Sequence, residues 1–95
     1  MADGDNRSGT ASRDELIGQL VENLPALRAK VGLTQSDLAD KIGIGRQTLL
    51  SIENKKGKMR WNTFLALVAF FSKNEATEEM MRFLHLHLDF IDLEH

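Results

Sequence analysis

Four cations crowd into six positions, Lys55, Lys56, Lys58 and Arg60, and form either a solvated loop or an anion-binding surface. His85 and His87 are the other conspicuous group. Two residues apart on a helix they point roughly 200° from each other and cannot share an ion; on a strand they share a face. No further ligand lies nearby in sequence, so the expected use is at a partly buried interface, with no metal and no other cofactor. The chain has no cysteine, which removes disulfides, thiolate metal sites and a cysteine nucleophile. Serine, histidine and aspartate occur without a nucleophile motif, and no glycine-rich loop is spaced to cradle phosphate, so an enzyme is not expected.

The elements that must position these groups are helical. Residues 1–11 show no periodicity and read as a disordered tail. Ser12 and Glu15 make a capping box, after which Leu16, Ile17, Leu20, Val21 and Leu24 recur at helical spacing. Pro25 either kinks that helix or opens a second one, 25–31, which Gly32 ends. Thr34–Asp37 is another helix start, and Gly43 stops the short helix that follows. A further helix begins near 45–46 and buries Leu49 and Ile52. Residues 54–60 form the basic loop, and 62–71 a central apolar helix with Trp61 at the rim of the core. From Glu75 the pattern is helical again, and with no stop signal it is expected to continue to about Phe90. The strict alternation of 84–90 keeps open a strand that pairs with its copy. Leu93, Glu94 and His95 resemble the start of a purification tag. The expected organisation is thus a single domain over 12–92, with helical extensions at both ends.

A chain of this length holds one small domain. The longest apolar run, 64–71, is too short to span a bilayer, and the amino terminus lacks a signal-peptide core, so a cytoplasmic protein is expected. The net charge of −2 argues against a polyanion as partner, but its distribution argues the reverse. Residues 35–60 carry six basic side chains against three acidic ones, whereas 61–95 carry two against six. Such segregation can present one basic face.

Residues 35–54, QSDLADKIGIGRQTLLSIEN, satisfy the geometry of two short helices meeting at a sharp turn. Ala39 is small enough for close approach, Gly43 can take a positive φ, and Leu38, Ile42, Ile44, Leu49 and Ile52 share an apolar seam. This is the helix-turn-helix pattern, whose second helix can enter the major groove of DNA. Over 27–71 the chain resembles the Cro/repressor-type (XRE) helix-turn-helix family. The resemblance is carried by Leu27-Arg28, Gly32-Leu33-Thr34-Gln35, Leu38-Ala39, Ile42-Gly43-Ile44, Leu49, Ile52-Glu53-Asn54 and Thr63-Phe64. Two positions depart from the family's pattern: Gly45 stands where Ser or Thr is usual, and Asn54 is followed by Lys55 rather than Gly.

The resemblance implies an all-α, lambda-repressor-like bundle of five or six helices that binds double-stranded DNA as a transcriptional regulator, most simply a repressor. It implies base reading by Arg46, Gln47 and Ser51, with Arg46 suited to guanine and Gln47 to adenine. Leu50 on the same helix either meets a thymine methyl or is merely an exposed apolar residue. Phosphate contacts are implied for Gln35 and Asn54, with Thr48, Lys55, Lys56, Lys58 and Arg60 adding to them. It also places Arg28 near Glu53. Met80, Met81, Phe83, Leu84, Leu86, Leu88, Phe90 and Ile91 offer more apolar surface than one helix buries. Either the two terminal helices cover each other within one chain, or, as expected here, Met81, Leu84, Leu86, Leu88, Phe90 and Ile91 form a homodimer interface on a near-palindromic site. Alternatives within the same fold are an autorepressing antitoxin that also binds a toxin, and a protein-bridging module.

Overall fold

The computed structural model describes residues 12–91. The tail expected over 1–11 and the tag remnant expected over 93–95 lie outside them. Five α-helices follow one another: α1 (Arg13–Val31), α2 (Gln35–Ile42), α3 (Arg46–Glu53), α4 (Trp61–Lys73) and α5 (Glu78–Phe83), before a 3-10 turn at Leu88–Phe90. The fold is all-α, and no strand occurs among the described residues.

Both helix starts expected from capping residues form. Ser12 Oγ accepts from Glu15 N at 3.1 Å while Ser12 N donates to Glu15 Oε1 at 3.0 Å. Thr34 and Asp37 make the same reciprocal pair at 3.0 and 3.4 Å. Pro25, by contrast, does not divide the first helical stretch: α1 runs through it for 19 residues. The ring lies on the exposed side, while Leu24 and Leu27 on either side of it are fully buried. Burial of each is worth about 1.5–3 kcal/mol, enough to offset one missing backbone hydrogen bond.

Four helices end by one device. An N–H two or three residues past the helix reaches back to a carbonyl of the last turn, and the residue before it turns left-handed. At α1 and α2 that residue is Gly32 (φ 71°) and Gly43 (φ 81°). At α3 it is Lys55 (φ 64°), with Lys56 N donating to Ser51 O at 2.9 Å. At α5 it is His85 (φ 59°), with Leu86 N donating to Met81 O at 2.8 Å.

That last stop corrects the carboxy-terminal expectation. Residues 84–90 are neither a continued helix nor a strand. The helix ends at Phe83, the chain reverses at His85, and Leu86 drops fully into the core beside Met81. Leu88 N then donates to Ser72 Oγ at 2.9 Å, which ties the final turn to α4. Thr77, fully buried before α5, donates its hydroxyl to Phe71 O at 2.7 Å and fixes the α4–α5 corner.

The core joins Leu20, Leu24 and Leu27 of α1 to Leu38 and Ala39, Leu49 and Ile52, and a central group on α4. That group is Phe64, Leu67, Val68 and Phe71, and it makes α4 the hub that touches α1, α2, α5 and the final turn. Trp61 lies half-buried at the rim as expected, stacked on Phe64 with ring centroids 4.6 Å apart. The Arg13 guanidinium sits 4.4 Å above the Trp61 ring, a cation–π contact that joins the start of α1 to the start of α4.

Candidate nucleic-acid interface

The turn between α2 and α3 depends on two small residues. Gly43 adopts the left-handed conformation, and the Ala39 carbonyl accepts from both Gly43 N (2.9 Å) and Ile44 N (3.0 Å). Ala39 itself is 1% exposed, so nothing larger fits where the two helices meet. From this turn α3 starts at Gly45 with ordinary extended backbone and no side-chain cap.

One side of α3 is locked inward by Leu49 and Ile52. On the other side Arg46, Gln47 and Thr48 are exposed, and their side chains make no hydrogen bond, ion pair or ring contact with another described residue. Leu50 and Ser51 are half-buried. Leu50 is therefore less open than its place on the helical wheel suggested. Ser51 is crowded by the loop: a Cβ built on Gly57 would stand 3.0 Å from Ser51 Cβ.

The last residue of α3 is held more firmly than sequence reasoning indicated. Arg28 Nε and Nη2 donate to the two carboxylate oxygens of Glu53, each at 3.0 Å, while Arg28 Nη1 donates to Leu33 O at 3.2 Å. Gln35 Nε2 donates to Glu53 Oε1 at 2.9 Å. The Glu53 side chain is only 5% exposed. One carboxylate thus ties α1, α2 and α3 together. Gln35, expected at a phosphate, spends its amide nitrogen on this junction; the resemblance placed Arg28 near Glu53 but gave no sign that Gln35 joins them.

The cations after α3 divide. Asn54, Lys56, Lys58 and Arg60 are exposed and make no side-chain bond to other described residues. Lys55 turns back to α1, where its ammonium meets the Glu22 carboxylate in an exposed ion pair. A phosphate at Lys55 has to displace Glu22, and an exposed pair of this kind is worth under about 1 kcal/mol.

The six residues expected at a dimer interface also divide. Met81 and Leu86 are fully buried within the chain and Ile91 nearly so: Met81 is the buried residue of α5, which packs on α4, and the stop at His85 turns Leu86 and Ile91 back into the same core. Leu84 and Leu88 are half-buried against the same core. Phe90 remains 52% exposed. Phe83, part of the apolar surplus though not of the expected interface set, is 83% exposed and presents the larger apolar surface.

His85 and His87 are not brought together on an ion. His87 is buried and uses Nδ1 to accept from Asp89 N at 3.0 Å, capping the final turn, while His85 lies by the Phe90 ring. Among the described residues no group of three or more His, Asp or Glu could hold a metal, and no helix is long and apolar enough to cross a membrane.

A helix-turn-helix family model matches residues 26–69. No curated protein and no solved structure matches the chain. The matched segment contains the α2–turn–α3 unit, the Glu53 junction, the basic loop and most of α4. Over residues 26–69 the chain thus carries a helix-turn-helix segment, in line with the XRE-type resemblance, and the match supports a DNA-binding regulator.

Proposed function

We propose that this protein is a sequence-specific repressor that lays α3 in the major groove of duplex DNA and occupies a promoter as a homodimer. The carrying observation is the exposed Arg46-Gln47-Thr48 edge at the start of a helix whose opposite side and far end are both fixed. Arg46 pairs with guanine O6 and N7 and Gln47 with adenine N6 and N7, while Leu50 and Ser51 line the rest of that face. Thr48, Asn54, Lys56, Lys58 and Arg60 contact phosphates, joined by Lys55 once it releases Glu22. Gln35 contributes its main-chain N–H at the positive end of α2, since its side-chain amide serves Glu53. Two copies place their α3 helices about 34 Å apart on a near-palindromic site.

The exposed Phe83 and Phe90 support the second copy, and they also support a second reading. In that reading the same surface takes a different protein, as in an antitoxin or a bridging module. Fluorescence anisotropy with the duplex upstream of the protein's own gene, beside a scrambled duplex and at several salt concentrations, tests the proposal. Specific binding with log K falling at about 0.9 per phosphate neutralised supports it. Failure to bind either duplex at low salt sinks it and leaves the protein-partner reading.

A further inference from the structure

Between the first half of α1 and the loop after α3 lies an open groove of about 420 Å³. Its apolar lining comes from Ile17 and Val21 on one side and from Ile52 and Met59 on the other. Gly18 widens it, since a Cβ built there meets nothing within 4 Å. The rim carries two carboxylates and two ammonium groups, in unequal states. Glu22 holds Lys55, while Asp14 makes no ion pair with any described residue and sits in the first turn of α1, where the helix dipole offsets its charge. Lys58 makes no ion pair with any described residue.

We propose that this groove binds a small organic anion with an apolar body, its charge on Lys58 and its body between Val21 and Met59. The volume suits such a molecule, and the lining combines apolar walls with one uncommitted cation, the usual recipe for orienting a ligand. The wall is also the DNA-facing loop. Lys55, in its left-handed turn, and Lys58 belong to both surfaces, and Gly57 between them abuts Ser51 of α3 with no slack. A ligand anion therefore competes with phosphate for the same cations and presses a loop that rests on the recognition helix. This coupling, unlike the groove itself, depends on the DNA reading above.

The probe is 8-anilinonaphthalene-1-sulfonate, titrated by fluorescence against the full chain, with uncharged 1-anilinonaphthalene beside it. The sulfonate should bind more tightly than the neutral compound by about fivefold or more, a preference lost in Lys58→Gln. Gly18→Leu, which fills the groove from an open position, should weaken it about tenfold, while Phe83→Ser leaves it unchanged. Amide shifts at Ile17, Val21 and Met59 should mark the site. Loss of the signal in Phe83→Ser, or its persistence in Gly18→Leu with unchanged circular dichroism, overturns the proposal.

These measurements need no DNA, so they stand apart from the DNA reading. Where DNA is bound, saturating probe should weaken binding in the wild type and not in Gly18→Leu. Equal weakening in both, or none in either, overturns the coupling.

Discussion

Arg28 and Glu53, 25 residues apart, face each other through two parallel hydrogen bonds of 3.0 Å, with the carboxylate almost wholly removed from water. Such a pair is strong when intact and costly when halved, because the surviving charge keeps its desolvation without its partner. Arg28→Ala should therefore destabilise the fold by about 2–3 kcal/mol in urea denaturation, below the fully buried case because Arg28 is partly exposed and Gln35 still serves Glu53. A loss under about 1 kcal/mol would place this junction among ordinary surface pairs.

Lys55 should gain from being replaced by glycine. A left-handed residue with a Cβ costs roughly 1–2 kcal/mol, and the exposed pair with Glu22 gives back less than that. Lys55→Gly is expected to stabilise by about 0.5–1 kcal/mol, with Glu22→Gln as the control for the lost pair. Equal destabilisation by both variants would show that the ion pair outweighs the backbone strain.

Thr77 makes a different kind of test, since Thr77→Val keeps the shape and removes one buried hydrogen bond. The Phe71 carbonyl is then left without its donor, and the expected loss is about 1–2 kcal/mol. Ser72→Ala acts one contact further along by freeing Leu88 N. Faster hydrogen exchange at Leu88 to Ile91 than in α4 should report it.

On DNA, Arg46→Ala should cost about 1–3 kcal/mol on the specific duplex and little on the scrambled one. Lys56→Ala should weaken both duplexes alike and lower the salt slope by about one. The reverse assignment of these two effects would mean that α3 lies across the groove in another register.

Phe83→Asp tests the second copy. Sedimentation should show a dimer for the wild type and a monomer for the variant, with thermal unfolding of the chain little changed because Phe83 is 83% exposed. An unaltered dimer would move the interface away from α5.

The helix starts were legible because Ser12–Glu15 and Thr34–Asp37 carry their chemistry in adjacent side chains. The stops at Gly32 and Gly43 were legible for the same local reason. His85 was not. There the left-handed turn is enforced by burial of Leu86 against Met81, a tertiary gain that no residue at the turn announces. Pro25 misled in the opposite direction, for its breaking tendency is outweighed by Leu24 and Leu27 in the core. At the interface, the exposure of Arg46 and Gln47 follows from the spacing of Leu49 and Ile52. The diversion of Lys55 to Glu22 does not, because the two lie 33 residues apart.

The segment matched by the family, 26–69, leaves out Leu20 and Leu24 before it and Phe71, Met81 and Leu86 after it, all of them fully buried. Kinship and cooperativity consequently have different borders in this chain. A fragment cut to the matched residues keeps every group that faces outward from α3 and discards both flanks of the interior. The outward face of α3 thus lies within the matched segment, while the core that holds it extends past both ends of that segment.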